Sequence, residues 1–129
     1  MDITKAVFGL QDNFIITGIP AGADETLVGE PLIGKALTVA GVYTCRARTD
    51  GIQNIEVHIK ASAFTGTVTP AFISTFLDGT AKQTATLANI SGTAQNVSMT
   101  LVGEKVCVFT LTLAAASSVT MARAEINGL

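Results

Sequence analysis

Charge is what this chain has least of. Its 129 residues carry 8 basic and 10 acidic side chains, so only 14 % of positions are charged and the formal net charge is −2. Size scaling gives a fold of this length roughly 6,500 Å² of surface, and about 25–35 % charged residues is usual on the surface of a soluble monomer. With 48 % apolar residues and a mean hydropathy of +0.49, the chain is expected to bury much of its surface against copies or partners. A long apolar run is missing too: nothing approaches the ~18–20 unbroken apolar residues of a spanning helix. There is no Lys/Arg cluster, and the pI is about 5.2, which argues against phosphate-dominated nucleic-acid binding. Gly9, Gln11 and Asp12 interrupt the apolar residues that follow Met1-Asp2-Ile3-Thr4-Lys5. No signal-peptide core is read there, so the chain is expected to be made in a cytoplasm and not exported by that route.

The residues of catalysis are equally scarce. His58 is the single histidine, and its parity with Glu56 and Lys60 places it on the wet face of a strand. With one His and two distant Cys, no zinc site at the usual spacing can be drawn. No serine sits in a nucleophile elbow, and neither a Walker loop nor a dinucleotide fingerprint is present. Asp24 and Glu25 lie in a loop, Asp50 and Asp78 in Asp-Gly turns, and Glu104 at an expected hairpin tip. Asp-Gly is turn chemistry, through side-chain hydrogen bonding and the freedom of Gly at positive φ. A pair of glycosidase carboxylates or a sugar-binding platform would call for stacking aromatics, and the chain has one Tyr and no Trp. No enzyme is expected, and no catalytic, cofactor-binding or metal-binding residues and no cofactor. The sequons at Asn89 and Asn96 are chance matches in a Ser/Thr-rich chain.

What is present is the composition of a sheet. Thr occurs 18 times, Val and Ile 11 times each and Gly 12 times, a β-branched, turn-rich mix. Residues 55–63 alternate strictly, odd positions apolar, as in a strand with one wet face. Gln95–Leu101 alternates as well, with Val97, Met99 and Leu101 on one face. The connection Val102-Gly103-Glu104-Lys105 then predicts a hairpin to Val106–Leu113 through a type II′ turn. Cys107, Phe109, Leu111 and Leu113 would point inward. Outward would go Val106, Val108, Thr110 and Thr112, a face that is neither clearly wet nor clearly core and that is expected to meet another subunit or sheet. Further strands are expected at Lys35–Arg48, Val68–Leu77, Thr84–Ala88 and Val119–Ile126, with Thr80–Leu87 also readable as a short helix. Asp50-Gly51, Asp78-Gly79, Ser91-Gly92 and Asn127-Gly128 read as turns. Together these predict an all-β fold, an antiparallel β-sandwich or jelly-roll-like barrel over residues 35–129.

Residues 1–34 differ. Phe14-Ile15-Ile16 reads as a short strand, but Gly18–Glu25 is loop chemistry and Val28–Gly34 alternates breakers with bulky apolar residues. The segment is read as an extended N-terminal arm or a long loop packing on a sheet or a neighbour; an ordinary edge strand plus loop fits it equally.

Cys45 and Cys107 stand 62 positions apart, a separation that resembles the inter-sheet disulfide of immunoglobulin domains. The buried Trp of that family is absent, and Lys105 stands where its tyrosine corner would be. Small buried hydrophobes are the expectation for both.

The segments Ala71-Phe72-Ile73-Ser74-Thr75-Phe76-Leu77-Asp78-Gly79-Thr80 and Val119-Thr120-Met121-Ala122-Arg123-Ala124-Glu125-Ile126-Asn127-Gly128-Leu129 resemble virion structural proteins of tailed bacteriophages, especially capsid decoration (cement) proteins. The resemblance covers about 21 residues of the chain. It implies a non-catalytic virion protein, made in the host cytoplasm. Its partner would be the lattice of the major capsid protein, which it stabilises against internal DNA pressure, often as a homo-oligomeric trimer at three-fold sites. It also implies that an N-terminal arm docks on the capsid. No nucleic acid and no membrane are expected as partners. A tail-tube, connector or fibre-base subunit would share this composition, and a free-standing β-sandwich adhesin or carbohydrate-binding domain, with ligand loops near Asp50 and Asp78, is the competing reading.

Overall fold

Wherever β-branched residues alternate with polar ones, the chain forms a strand that buries one edge of side chains. The computed structural model describes residues 11–78 and 80–128. Among them are ten strands: β1 (Gln11–Asn13), β2 (Ile15–Gly18), β3 (Ala36–Leu37), β4 (Gly41–Arg48), β5 (Asn54–Thr65), β6 (Val68–Thr75), β7 (Ala81–Thr86), β8 (Gln95–Thr100), β9 (Val106–Leu113) and β10 (Ser118–Gly128). They form two sheets. The first runs β1-β10-β5-β8, with β3 also paired to β10; the second runs β2-β4-β9-β6-β7. Every ladder between strands is antiparallel. The two sheets pack face to face as a sandwich, the all-β class that the alternation predicts.

The inner faces follow the parity of the sequence. Ile55, Val57, Ile59 and Ala61 of β5 are buried, as are Cys107, Phe109, Leu111 and Leu113 of β9. Ala63 breaks the pattern and is exposed, because register shifts around Met121 of β10 change which residues of the pair face inward. At the centre, the Phe14 ring lies 4.7 Å from Phe109 and 6.1 Å from Phe72. Tyr43 is buried in the same core, and its hydroxyl accepts the backbone N–H of Val39 at 3.2 Å.

Three expectations change, and one open alternative closes. Residues 95–113 are not a hairpin: β8 pairs with β5 in the first sheet, and β9 pairs with β4 and β6 in the second. Leu101 is drawn into the core and turns residues 101–105 into a crossing between sheets. Backbone bonds pin that crossing to the 49–53 turn, from Leu101 N to Gln53 O, Gly51 N to Glu104 O and Thr49 N to Lys105 O (2.6, 3.2 and 2.8 Å). Lys35–Arg48 is two strands in different sheets, β3 and β4. The corner between them turns at Gly41, whose φ is +127° and where a Cβ would meet the Pro20 Cβ at 2.5 Å. Of the two readings around residues 80–88, the strand holds, as β7 over Ala81–Thr86, and the helix does not. Asn127-Gly128 is no turn but the end of β10, paired with Glu56 and Ile55.

The described part of the N-terminal segment is woven into the sandwich. β1 joins the first sheet and β2 the second, so residue 14 is where the chain passes from one to the other. Phe14, Ile16 and Leu32 are fully buried, and Ile16, Gly29, Leu32 and Phe14 exchange backbone bonds of 2.7–2.9 Å that hold the loop against β2. From Gln11 to Gly34 the chain fits the reading of an ordinary edge strand plus loop, with β2 at the edge of the second sheet. The arm expected over residues 1–34 has its first ten residues outside the described ones.

Candidate interaction surface

The five strands of the second sheet contain no Asp or Glu; their charged residues are Arg46, Arg48 and Lys82. Because inward and outward residues alternate, β9 turns Val106, Val108, Thr110 and Thr112 away from the core, on the outer face of this sheet. Register extends them into rows. Thr44, Thr110, Ala71 and Thr86 lie side by side, and the next row holds Arg46, Val108, Ile73 and Thr84. Val42 and Val106 are 46 % and 42 % exposed. The chemistry available is that of a β-branched surface, suited to contact with another such surface.

The outer face of the first sheet is different in kind. It carries Glu56, His58 and Lys60 from β5, and Arg123 and Glu125 from β10. His58 sits opposite Glu125 and makes a close contact from Nε2 to Glu56 Oε1. Arg123 Nε donates to Glu125 Oε1 at 2.6 Å. His58 is therefore on the polar strand face, as its parity predicts.

At one end of the second sheet an apolar corner projects. Phe76, Leu77 and Val102 are 53, 110 and 71 % exposed, and Phe76, Leu77 and Val106 help line an open cavity of about 440 Å³. Phe76 and Leu77 sit on the loop after β6, where Phe76 N donates to Thr80 O and the Asp78 carboxylate accepts both the backbone N–H and the hydroxyl of Thr80. Below them, Glu104 is buried and its Oε1 lies 2.6 Å from Lys82 Nζ. Burial alone would raise the Glu104 pKa, but the Lys82 ammonium, its own backbone N–H and that of Val102 hold it below its ordinary value. The Lys82 ammonium also stands 5.6 Å over the Phe76 ring. Glu104, expected at a hairpin tip, is thus the anchor of the crossing. Its role was hidden because its partner stands 22 positions earlier in the chain.

The remaining acidic candidates serve their own turns. Asp50 and Gly51 have φ of +49° and +79° under a Thr49–Ile52 hydrogen bond, a type I′ turn, and Asp50 pairs with Arg48 at 2.9 Å. Asp24 caps the 3-10 turn Glu25–Leu27, and its pKa is lowered chiefly by the Thr26 hydroxyl. Cys45 and Cys107 are free and buried on neighbouring strands of one sheet, not across two. Burial pushes both thiols up to about 12, which makes them inert packing groups. No group of three or more His, Cys, Asp or Glu able to hold a metal occurs among the described residues. Scans against protein-family models, curated proteins and solved structures return no match.

Proposed function

We propose that this chain is a structural subunit that works by contact, a virion protein of the capsid-decoration kind that its 71–80 and 119–129 segments resemble. On this reading it is made in the host cytoplasm, binds the lattice of a major capsid protein, reinforces it and performs no catalysis. One observation carries the reading: a whole sheet without a carboxylate turns Val, Ile, Ala and Thr outward and ends in the exposed Phe76–Leu77–Val102 corner. Apolar area of this kind contributes about 25 cal/mol per Å² removed from water, repeated at every copy of a lattice. The loops of the competing ligand-binding reading, near Asp50 and Asp78, have their carboxylates engaged within their own turns.

The test is a density gradient. Particles from cells that make this chain are banded and probed with an antibody to it. Co-migration in fixed ratio to the shell protein supports the reading. Recovery only at the top of the gradient defeats it and brings the free-standing binding module forward.

A further inference from the structure

We propose that the outer face of the second sheet is a self-pairing surface, on which two copies of the chain meet about a two-fold axis running along β9. The proposal rests on the contact reading above and names the partner of that face. A sheet face is most closely matched by another sheet face, and two such faces pack about 10 Å apart with interdigitating side chains. Three strands of eight residues, flanked by β2 of four and β7 of six, give roughly 540 Å² per copy at ~3.3 Å per residue and ~4.8 Å between strands. Two copies bury about 1,100 Å², which clears the ~1,000 Å² expected of a specific interface, before the corner at Phe76 and Val102 is added.

The register decides where the charges go. With the axis along β9, Val108 and Thr110 of one copy face their counterparts. β4 of one copy then lies over β6 of the other, since β4 and β6 flank β9 on opposite sides. Arg46, in the row of Val108 and Ile73, therefore comes to rest over the other copy's Ile73 and not over its own counterpart. The aliphatic stem lies on apolar surface while the guanidinium reaches the rim. The two Arg46 charges stay about two strand spacings apart, ~10 Å, where physiological salt screens them. Being isologous, this pairing closes at two copies and builds no fibre. On a lattice, two-fold axes are then the matching seats, in place of the three-fold sites that the family resemblance implies.

The experiment is light scattering coupled to size exclusion over roughly 1 µM to 1 mM protein. The expected mass is twice 13.3 kDa. Val108→Asp sets two carboxylates against each other across the axis and should weaken pairing at least about 100-fold. Ser98→Asp, on the outer face of the first sheet, should leave the mass unchanged. Because Val108→Asp could harm folding, a second measurement uses Thr110→Cys with a short bismaleimide. The native thiols are buried, so a cross-linked pair should form with Thr110→Cys and not with Ser98→Cys. A monomer throughout the series, a mass other than twice the chain, or pairing that survives Val108→Asp overturns the proposal. A monomer that still bands with particles sinks this inference alone. A pair that never joins particles leaves it standing and sinks the virion reading.

Discussion

The two outer faces of this sandwich each belong to a five-stranded antiparallel sheet, yet they meet water differently. The first sheet sets Glu56, His58, Lys60, Arg123 and Glu125 among Asn and Ser; the second sets Val42, Val106, Val108, Ile73 and a field of Thr around Arg46 and Arg48. Charge is therefore not thin everywhere. A chain with 14 % charged residues has spent most of its strand charges on one sheet. The shortage read from composition is thereby concentrated on one surface, which is why that surface carries the functional argument.

The comparison can be broken first at the residue both sheets share. Phe14 lies where β1 hands over to β2 and packs on Phe72 and Phe109. Phe14→Ala should cost about 3–5 kcal/mol in urea unfolding. A loss under about 1 kcal/mol would return the residues before Lys35 to the status of an arm. Next come the ion pairs of the two sheets. Lys82→Met leaves Glu104, whose side chain is 4 % exposed, without its cation. A fully buried pair broken in this way costs 3–5 kcal/mol; Lys82 is 28 % exposed, so about 2 kcal/mol is expected. Arg123→Met breaks a pair whose cation is half exposed on the first sheet and should cost at most about 0.5 kcal/mol. Equal losses would erase the distinction between the corner and the charged face.

Parity and turn chemistry made the strands, the class and the outward row of β9 legible, because alternation reports directly which side of a strand is wet. Pairing was not legible. The alternating stretches 95–101 and 106–113 satisfy a hairpin and a crossing equally well, and the choice turns on Leu101 finding space between the sheets. Glycines and a proline hid the core residue Leu32, since breakers describe the path of a backbone and not what its side chains bury. The surface itself was half visible. Val106 to Thr112 could be read from β9 alone, but the rows through Thr44, Ala71 and Ile73 exist only in the register of four strands.

Acid should act at the corner. The folded pKa of Glu104 is below its ordinary value of 4.5, so its contribution is fully present above that value and is lost as pH falls through the folded pKa. Asp24 and Asp78, both lowered by threonine hydroxyls, have the same sign but are fully exposed. Thermal melting followed from pH 6 to pH 3 should therefore drop below about pH 4.5, and Glu104→Gln should flatten part of that fall. An unchanged slope in Glu104→Gln would show that the corner does not sense acid.

A stabilising change tests the inner side of the second sheet. Ser74 faces inward on β6 opposite Cys107, and its hydroxyl is buried with no hydrogen-bond partner. A lone buried hydroxyl gives up its water bonds and gains nothing in return, at a cost of about 1–3 kcal/mol. Alanine removes that cost but leaves a void smaller than a methyl group, which returns part of the gain. Ser74→Ala should thus stabilise the fold by about 1 kcal/mol in urea unfolding, without altering self-association measured by light scattering. A loss of stability would mean that the hydroxyl is satisfied by an internal water. A change in association would mean that the inner and outer sides of the second sheet are coupled, and the face could no longer be treated as a surface independent of the core beneath it.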